Sequence, residues 1–201
     1  MGSTTASLSL GTCRGRPFLL MAGVGLDAYL AGRVGSSLKQ RFGLLAFWLT
    51  GLVHFWRYPL PRFQVRMGGE CLVGTQAVVA NGSRYGGGLR LTPQGDLSRR
   101  GFEVCVFQSQ SHLRYLVYLL RGFSGSHLSL PDVVYRQACS VHIEGDAAVP
   151  VQLDGEPSGG LPVSIQVLEK RLEVFVRSTG LGVRTQEGRL SAGFRLQNTD
   201  S

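Results

Sequence analysis

The pattern of hydrophobic and polar residues changes its period along this chain of 201 residues. Between residues 38 and 56, apolar side chains stand at positions 44, 45, 48, 49, 52, 55 and 56, and this spacing predicts one amphipathic helix. The helix should end at Tyr58-Pro59, because a residue before proline resists the helical backbone region. A second helix is predicted over 111–121, with apolar residues 113, 116, 117 and 120 on one face and Ser111 as its cap.

Most other segments follow a period of two or form short apolar runs, which are typical of strands. The predicted strands are a hairpin of residues 7–13 and 18–24 and the runs RFQVRM, CLVGTQAVVAN, FEVCVF, VVYRQACSVHIE, VPVQLDGE and VSIQVLEKRLEVFV. Strands outnumber helices, so the pattern predicts a mainly β protein.

The composition fits one globular domain that is rich in turns. Hydrophobic residues make up 43% and charged residues 17%, and the 28 glycines favour many turns and short strands. We expect one domain over 7–177, followed by a polar tail over 178–201 that has no period. No signal peptide is recognisable, and the apolar stretch over 42–56 is shorter than a membrane span.

The net charge and the cysteines limit the kinds of partner, metal site and compartment that the sequence predicts. The net charge of +8 favours an anionic partner such as a phosphate, an anionic membrane surface or nucleic acid. Basic residues are scattered and the aromatic residues lie mostly in apolar runs, so no nucleic-acid partner is expected. The four cysteines, Cys13, Cys71, Cys105 and Cys139, form no CxxC pair, so a zinc site is not predicted, and a reduced, cytoplasmic compartment is the simplest interpretation.

The first stretch with candidate chemistry is MAGVGLDAYL, residues 21–30. Gly23 and Gly25 follow a strand and precede a helix, as in half of a dinucleotide fingerprint, but a third glycine and a βαβ unit are missing. The structural alternative is a tight strand exit in which Asp27 caps the helix.

The second stretch is VVANGSRYGGGLRLTP, residues 78–93. A buried strand ends at Asn81 and opens into a loop with three consecutive glycines, which lets backbone approach a ligand closely. Arg84 and Arg90 add positive charge. A plain mobile loop is equally compatible with this sequence.

The third stretch is VQLDGEPSGG, residues 151–160. If the strand continues, Asp154 and Glu156 share one face at the rim of a sheet. Two carboxylates at so short a distance from each other are tolerated where solvent, a metal or a basic group compensates their charge. Asp-Gly is also a common turn, so both interpretations stay open.

Together, these stretches resemble the C-terminal domain of the diacylglycerol kinase-like family of bacterial lipid kinases, which is related to sphingosine kinases and more distantly to NAD kinases. The resemblance lies in AGVGLDA at 22–28, LPRFQVRMGGE at 60–70, VVANGSRYGGGLRLTP at 78–93, GFEVCVF at 101–107 and VPVQLDGEP at 149–157. Their order and spacing cover nearly all of residues 7–177, and the combination is much more specific than any single motif.

The resemblance implies a fold class and an activity. The expected fold is mainly β (α+β), a two-layer β-sandwich with one or two amphipathic helices packed on it. In this family, that sandwich covers a cleft against an N-terminal α/β domain with a Gly-Gly-Asp-Gly-Thr nucleotide signature. The implied activity is ATP-dependent phosphoryl transfer, with Mg²⁺, to the hydroxyl of diacylglycerol or a similar lipid.

No Gly-Gly-Asp-Gly occurs in this sequence, so the nucleotide-binding domain is expected to be absent from it and to lie in the same longer protein or in another chain. Alone, the chain should neither bind ATP and Mg²⁺ tightly nor turn over. The lipid substrate places the expected cytoplasmic protein at the periphery of a membrane, and oligomerisation stays open.

The resemblance also implies two catalytic residues. Asp154 and Glu156 match the Asp-Gly-Glu of the family, which faces the interdomain cleft and helps to activate the lipid hydroxyl or to support the nucleotide and metal. Phosphoryl transfer depends on positioning and on a carboxylate that can orient the attacking hydroxyl, so this role is chemically sensible.

A substrate-binding set follows from the same resemblance. Asp27 matches an acidic residue that contacts the lipid headgroup in sphingosine kinases, and Gly23, Gly25 and Asn81 complete the set.

One segment departs from the family pattern. Where the family usually has Asp-Asp-Gly before an apolar strand, this chain has Ser98-Arg99-Arg100-Gly101. Basic groups replace hard oxygen ligands there, so no metal is predicted unless Asp96 substitutes in a rerouted loop.

Two alternatives to the lipid kinase function remain: a non-catalytic lipid or membrane-surface binding module, and a kinase whose acceptor is a nucleotide, as in NAD kinases.

Overall fold

A computed structural model describes residues 3–33, 51–83 and 88–177 of the chain. The first part of the helix predicted over 38–56 and the tail predicted over 178–201 lie outside the described residues. The domain boundaries expected at 7 and 177 stay a prediction.

The described strands form two six-stranded sheets and one two-stranded ribbon, with antiparallel pairing throughout. In spatial order, the first sheet consists of β3 (Arg16–Phe18), β2 (Gly11–Cys13), β13 (Val163–Val167), β10 (Ser140–Glu144), β5 (Phe63–Met67) and β6 (Glu70–Gly74). The second consists of β12 (Glu156–Gly160), β11 (Pro150–Leu153), β4 (Met21–Gly25), β7 (Gln76–Ala80), β8 (Phe102–Phe107) and β9 (Val133–Ala138). The ribbon pairs β1 (Ser3–Leu8) with β14 (Leu172–Arg177).

The two six-stranded sheets pack face to face around one apolar core. Alternate residues of β5 are buried, and those of its neighbour β10 follow the same rule, because successive side chains of a strand point to opposite faces. Phe18 and Phe102 bring their rings to 5.8 Å across this core. The expected two-layer β-sandwich with few helices is therefore confirmed.

Helices cover the outer face of the second sheet. They are α1 (Leu26–Arg33), α2 (residues 51–57) and α3 (His112–Ser124). A second apolar cluster lies between sheet and helices, where Met21, Val78 and Phe107 of the strands meet Tyr115 and Tyr118 of α3. The second sheet is thus buried on both faces, which explains why β4, β7 and β8 carry almost no exposed residue.

Only half of the apolar face predicted for α3 points outward. Ser111 caps the helix as predicted, since its side chain accepts the Arg114 N–H. Leu116 and Val117 are partly buried against the second apolar cluster, whereas Leu113 and Leu120 are 67% and 71% exposed. The fully buried residues of the helix are Tyr115, Tyr118 and Gly122. The helix carries an apolar stripe on each side, and spacing alone does not tell which side meets the sheet.

Several predicted strands were wrong as single elements. CLVGTQAVVAN divides into β6 and β7, which belong to different sheets, and VVYRQACSVHIE divides into β9 and β10 in the same way. At the first crossing, the buried Thr75 hydroxyl bonds to the carbonyls of Phe107 and Ser109. The last run divides into β13 and β14, residues 7–13 divide into parts of β1 and β2, and residues 18–24 are interrupted after Phe18.

Within the described residues, no helix has the length and hydropathy that a membrane span requires. The thiols of Cys13 and Cys105 are buried, those of Cys71 and Cys139 are exposed, and all four are free.

Candidate functional site

Asp154 and Glu156 flank a two-residue hairpin turn instead of sharing one strand. β11 ends at Leu153, β12 begins at Glu156, and these two residues pair directly. Asp154 and Gly155 form the turn with φ values of 50° and 91°, the left-handed conformation in which Asp-Gly is strongly favoured. The prediction that both carboxylates share one strand face was therefore wrong, because the strand reverses between them.

The Asp154 carboxylate is committed to backbone hydrogen bonds. It accepts the N–H groups of Leu19, Leu20 and Met21 at 2.7, 2.8 and 2.8 Å. Leu19 and Leu20 form the bend between β3 and β4, and Met21 is the first residue of β4. The carboxylate thus satisfies the two donors of the bend and the first donor of the strand that follows it.

Asn81 holds the same bend from the other side. Its side chain, which is almost completely buried, donates to the Leu19 carbonyl at 2.9 Å, and its backbone N–H donates to the Leu20 carbonyl at 2.9 Å. Two residues predicted for the site from distant parts of the sequence therefore meet at one bend.

Glu156 is placed differently from Asp154. Both residues are exposed, and Glu156 begins β12. Over the described part of the chain, no hydrogen bond or ion pair of the Glu156 side chain is present, whereas the Asp154 carboxylate accepts three.

Asp27 lies in the first turn of α1 and faces the second sheet. Gln152 of β11 donates a hydrogen bond from Nε2 to Asp27 Oδ2 at 3.2 Å. A Cβ atom on Gly23, which pairs with Gln152, would come within 2.0 Å of the same oxygen. Gly23 therefore provides the space in which the Asp27 carboxylate reaches the strand.

Gly25 acts through the backbone. Its φ of 101° is a value that residues with a side chain rarely adopt, and a Cβ atom there would lie 2.7 Å from the Thr75 carbonyl oxygen. The residue turns β4 directly into α1, which begins at Leu26. Asp27 therefore stands inside the helix and does not precede it as an N-cap, so the capping interpretation was wrong, while the tight strand exit is present.

Gln152 connects these stretches, although sequence reasoning did not single it out. Its Oε1 accepts the Gly155 N–H at 2.6 Å, while its Nε2 reaches Asp27. Gln152 lies between Val151 and Leu153, and this alternation predicts that its side chain is exposed to solvent. The side chain is buried instead, because helices cover the outer face of the strand. A polar residue in a strand that helices cover was therefore the signal that could have identified it.

Aromatic hydroxyls lie on the helix side of Asp27. Burial raises the pKa of Tyr58, and the negative charge of Asp27 raises it further. The ring of Tyr58 packs on Tyr29 at 4.6 Å. Burial also raises the pKa of Tyr115, whose hydroxyl lies 2.7 Å from Thr75 Oγ1. Both phenols stay protonated. Because the Thr75 hydroxyl donates to backbone carbonyls, the Tyr115 hydroxyl donates to Thr75, and Tyr58 is the phenol that can donate near the carboxylate.

The basic segment Ser98-Arg99-Arg100-Gly101 forms its own contacts. Arg99 pairs with the buried carboxylate of Glu103 at 2.7 Å, and Gln137 donates to the same oxygen at 2.8 Å. Asp96 turns toward Ser98. Within residues 3–33, 51–83 and 88–177, no three His, Cys, Asp or Glu residues cluster in a way that could hold a metal ion.

Part of the glycine-rich loop lies outside the described residues, including Arg84. Arg90 is exposed, and its backbone N–H donates to the Gly122 carbonyl at 2.9 Å, which places it beside the end of α3.

The chain is similar to a known protein family and to curated lipid kinases. The model of the family described as the YegS C-terminal NAD kinase beta sandwich-like domain matches residues 21–176. A diacylglycerol kinase of Mycobacterium tuberculosis (strain ATCC 25618 / H37Rv) is 29% identical over 161 residues, covering 79% of this chain and 52% of that protein. A diacylglycerol kinase of Staphylococcus carnosus (strain TM300) is 24% identical over 174 residues, covering 85% of this chain and 56% of that protein.

Solved structures show the same fold. A crystal structure described as a diacylglycerol kinase from Bacillus anthracis str. Sterne superposes with a TM-score of 0.55 at 16% identity, over 82% of this chain and 52% of that one. The chain spans about half the length of the curated relatives it matches. It belongs to the family of the YegS C-terminal NAD kinase beta sandwich-like domain.

Proposed function

We propose that this chain is the lipid-binding half of an ATP-dependent lipid kinase that phosphorylates the hydroxyl of diacylglycerol or a similar lipid. The relatives are diacylglycerol kinases, and the chain corresponds to about half of each. The nucleotide would be bound by a second domain, in the same protein or in another chain.

The observation that carries this proposal is the cluster of Asp27, Gln152 and Gly23 under the helices. It places a carboxylate at a strand exit, on the side where Tyr58 and Tyr115 supply aromatic surface and Tyr58 supplies a hydroxyl donor. A diacylglycerol headgroup has one free hydroxyl and otherwise accepts hydrogen bonds. A carboxylate for that hydroxyl beside a phenolic donor fits this chemistry.

The two carboxylates of the hairpin would have different roles. Asp154 would position the site, because its oxygens already hold the bend at residues 19–21. Glu156 would face the nucleotide side and orient the attacking hydroxyl, since it is exposed and its carboxylate is not engaged in the backbone contacts that hold Asp154. Gly25 and Asn81 would set the backbone around the substrate.

We expect no Mg²⁺ site in this half alone. The described residues hold no cluster of three acidic or other metal-binding side chains, and the Asp154 carboxylate already accepts three N–H bonds. Any ligands for the cation that accompanies ATP would come mainly from the nucleotide-binding half.

The test is titration of this chain with dioctanoylglycerol, a short-chain diacylglycerol, followed by amide NMR shifts. We expect shifts around Gly23, Asp27 and Gly155. Asp27→Asn should weaken binding by about tenfold or more, because a hydrogen bond to a charged group contributes roughly 1.5–3 kcal/mol. Asp146→Asn, in a surface turn, is the matched control and should bind as the wild type does.

Absence of binding, or equal affinity of wild type and Asp27→Asn, would contradict the proposal. Incubation with labelled ATP, Mg²⁺ and dioctanoylglycerol tests the division of labour. We expect no transfer by this chain alone, and transfer would show that it binds nucleotide productively.

One observation favours a second candidate, a non-catalytic lipid-binding module. The Asp154 carboxylate is used in structural contacts, so the Asp-Gly of this sequence is explained by the hairpin without a catalytic role. This candidate predicts that supplying the nucleotide-binding half of a relative restores no transfer, whereas the kinase proposal predicts transfer that Glu156→Gln reduces.

A further inference from the structure

The outward faces of α2 and α3 carry an apolar surface. It consists of Leu52, Val53, Trp56, Leu113, Leu120 and Phe123, which we call the α2–α3 face. Every one of these side chains is about half exposed or more. Single exposed apolar residues are ordinary, but a group of large ones on two adjacent helices marks an interaction surface.

Aromatic contacts join the two helices into one surface. The ring of Trp56 stacks on His112, with centroids 5.3 Å apart and an interplanar angle of 25°. His112 Nε2 also lies 2.9 Å from the Tyr58 carbonyl oxygen. The end of α2 therefore abuts the start of α3, and Leu113 continues the apolar surface that Trp56 begins.

The charge around this surface has one sign. Residues 51–57 and α3 contain no Asp or Glu. Arg57 is the last residue of α2, Arg121 lies along α3, and Arg90 is beside the end of α3, and all three are exposed. The charge of the nearby Asp132 is neutralised by Arg114, whose guanidinium donates two hydrogen bonds to the Asp132 carboxylate at 2.7 and 2.8 Å.

We infer that the α2–α3 face docks the protein on an anionic lipid surface. An apolar face with a tryptophan and a basic rim is the combination by which helices bind in the plane of a membrane interface. A second copy of this chain is a poorer occupant, because a symmetric contact would bring the same arginines together.

This inference rests on the proposed function and extends it. The inner sides of the same region carry Tyr58 and Tyr115 near Asp27. The helices that cover the candidate lipid site would thus present their other side to the membrane that supplies the lipid. Docking and headgroup binding would use different side chains, so they can be separated by mutation.

The test measures partition onto vesicles of phosphatidylcholine and phosphatidylglycerol, 7:3, by co-sedimentation. The double variant Leu113→Gln/Leu120→Gln should bind more than tenfold more weakly than the wild type, because both side chains lose their apolar contact with lipid. Phe175→Gln is the matched control, since Phe175 is 83% exposed on β14, away from both helices. It should bind as the wild type does.

The salt dependence of binding and the depth of Trp56 in the lipid provide two further measurements. Arg57→Gln/Arg121→Gln should weaken binding by about tenfold or more in 0.1 M salt, and by much less in 0.5 M salt. With Trp48 replaced by Phe, Trp56 is the single tryptophan, and brominated lipid should quench its fluorescence.

Three results would overturn the inference: no vesicle binding, equal losses in the leucine and Phe175 variants, or a dimer without lipid that the leucine substitutions dissociate. The last would assign the face to a second copy. The leucine variant should still bind dioctanoylglycerol. Loss of vesicle binding with that affinity retained confirms a docking face distinct from the lipid site, whereas a wild type that docks but does not bind dioctanoylglycerol refutes the proposed function alone.

Discussion

Asp154 and Met21 are joined by two reciprocal hydrogen bonds. The Asp154 N–H donates to the Met21 carbonyl at 2.9 Å, and the Asp154 carboxylate accepts the Met21 N–H at 2.8 Å. The same carboxylate holds Leu19 and Leu20. The hairpin between β11 and β12 is thereby fastened to the bend before β4, which leads to Asp27.

Asp154→Asn should lower the free energy of unfolding by about 1–2 kcal/mol. The substitution keeps the left-handed φ accessible, since Asn tolerates it, but replaces a charged acceptor of three N–H bonds by an amide with one acceptor oxygen. Urea unfolding followed by circular dichroism measures the change. Glu156→Gln, on the exposed neighbour, should stay within about 0.5 kcal/mol of the wild type. Equal effects of the two substitutions would contradict a structural role specific to Asp154.

Gly23→Ala should disturb the Asp27 cluster directly. The new methyl group would stand 2.0 Å from Asp27 Oδ2 and 2.6 Å from Gln152 Nε2, so the carboxylate must leave its place or the strand must shift. We expect a loss of roughly 1–3 kcal/mol in stability and weaker binding of dioctanoylglycerol.

Gly32→Ala is the control for that substitution. Gly32 lies in α1, and a Cβ there would meet Pro157 at an ordinary contact distance of 3.8 Å. Because alanine favours the helix, stability should stay unchanged or rise by up to about 1 kcal/mol. A Gly23→Ala protein as stable as Gly32→Ala, with unchanged lipid affinity, would show that the cluster is not confined as described.

The sequence predicted the strand content better than the connections between the strands. RFQVRM and FEVCVF became β5 and β8 because an unbroken period of two stays within one sheet. At Thr75 and Cys139, by contrast, the chain passes from one sheet to the other within an apolar run. Periodicity reports which residues are buried, and both sheets bury their residues in one sandwich core, so it cannot show the crossing.

The same limit applies to the site. Asp-Gly identifies a turn through its backbone preference, but the partner of the Asp154 carboxylate is the bend at residues 19–21, more than a hundred positions away. The role of Gln152 depends on Asp27 and on the helix that covers β11. Such contacts depend on the tertiary arrangement, which one sequence does not specify locally.

His127 should make stability depend on pH near neutrality. Its side chain is buried, one ring nitrogen lies 3.1 Å from the Leu91 carbonyl oxygen, and burial lowers its pKa. The unfolded chain therefore takes up a proton before the folded one, so stability declines as the pH falls below about 6.5. Urea midpoints between pH 8 and pH 5 should show this decline, and His127→Gln should reduce it. An unchanged slope in His127→Gln would refute the assignment.

Asp132 should control a separate acid transition. Hydrogen bonds from the Arg114 guanidinium hold its pKa below the usual range in the folded protein. Above about pH 3.9 both states are ionised and the pair contributes fully. As the pH falls further, the unfolded state is protonated first, so this stabilisation is lost down to the folded pKa.

Asp132→Asn should be less stable at pH 7 and should lose part of the decline between pH 4 and pH 2.5, measured by urea unfolding. Glu173→Gln, on the exposed ribbon strand β14, serves as the control. If Asp132→Asn and Glu173→Gln gave the same acid decline, the ion pair would have no part in it, because only Asp132 is held by Arg114.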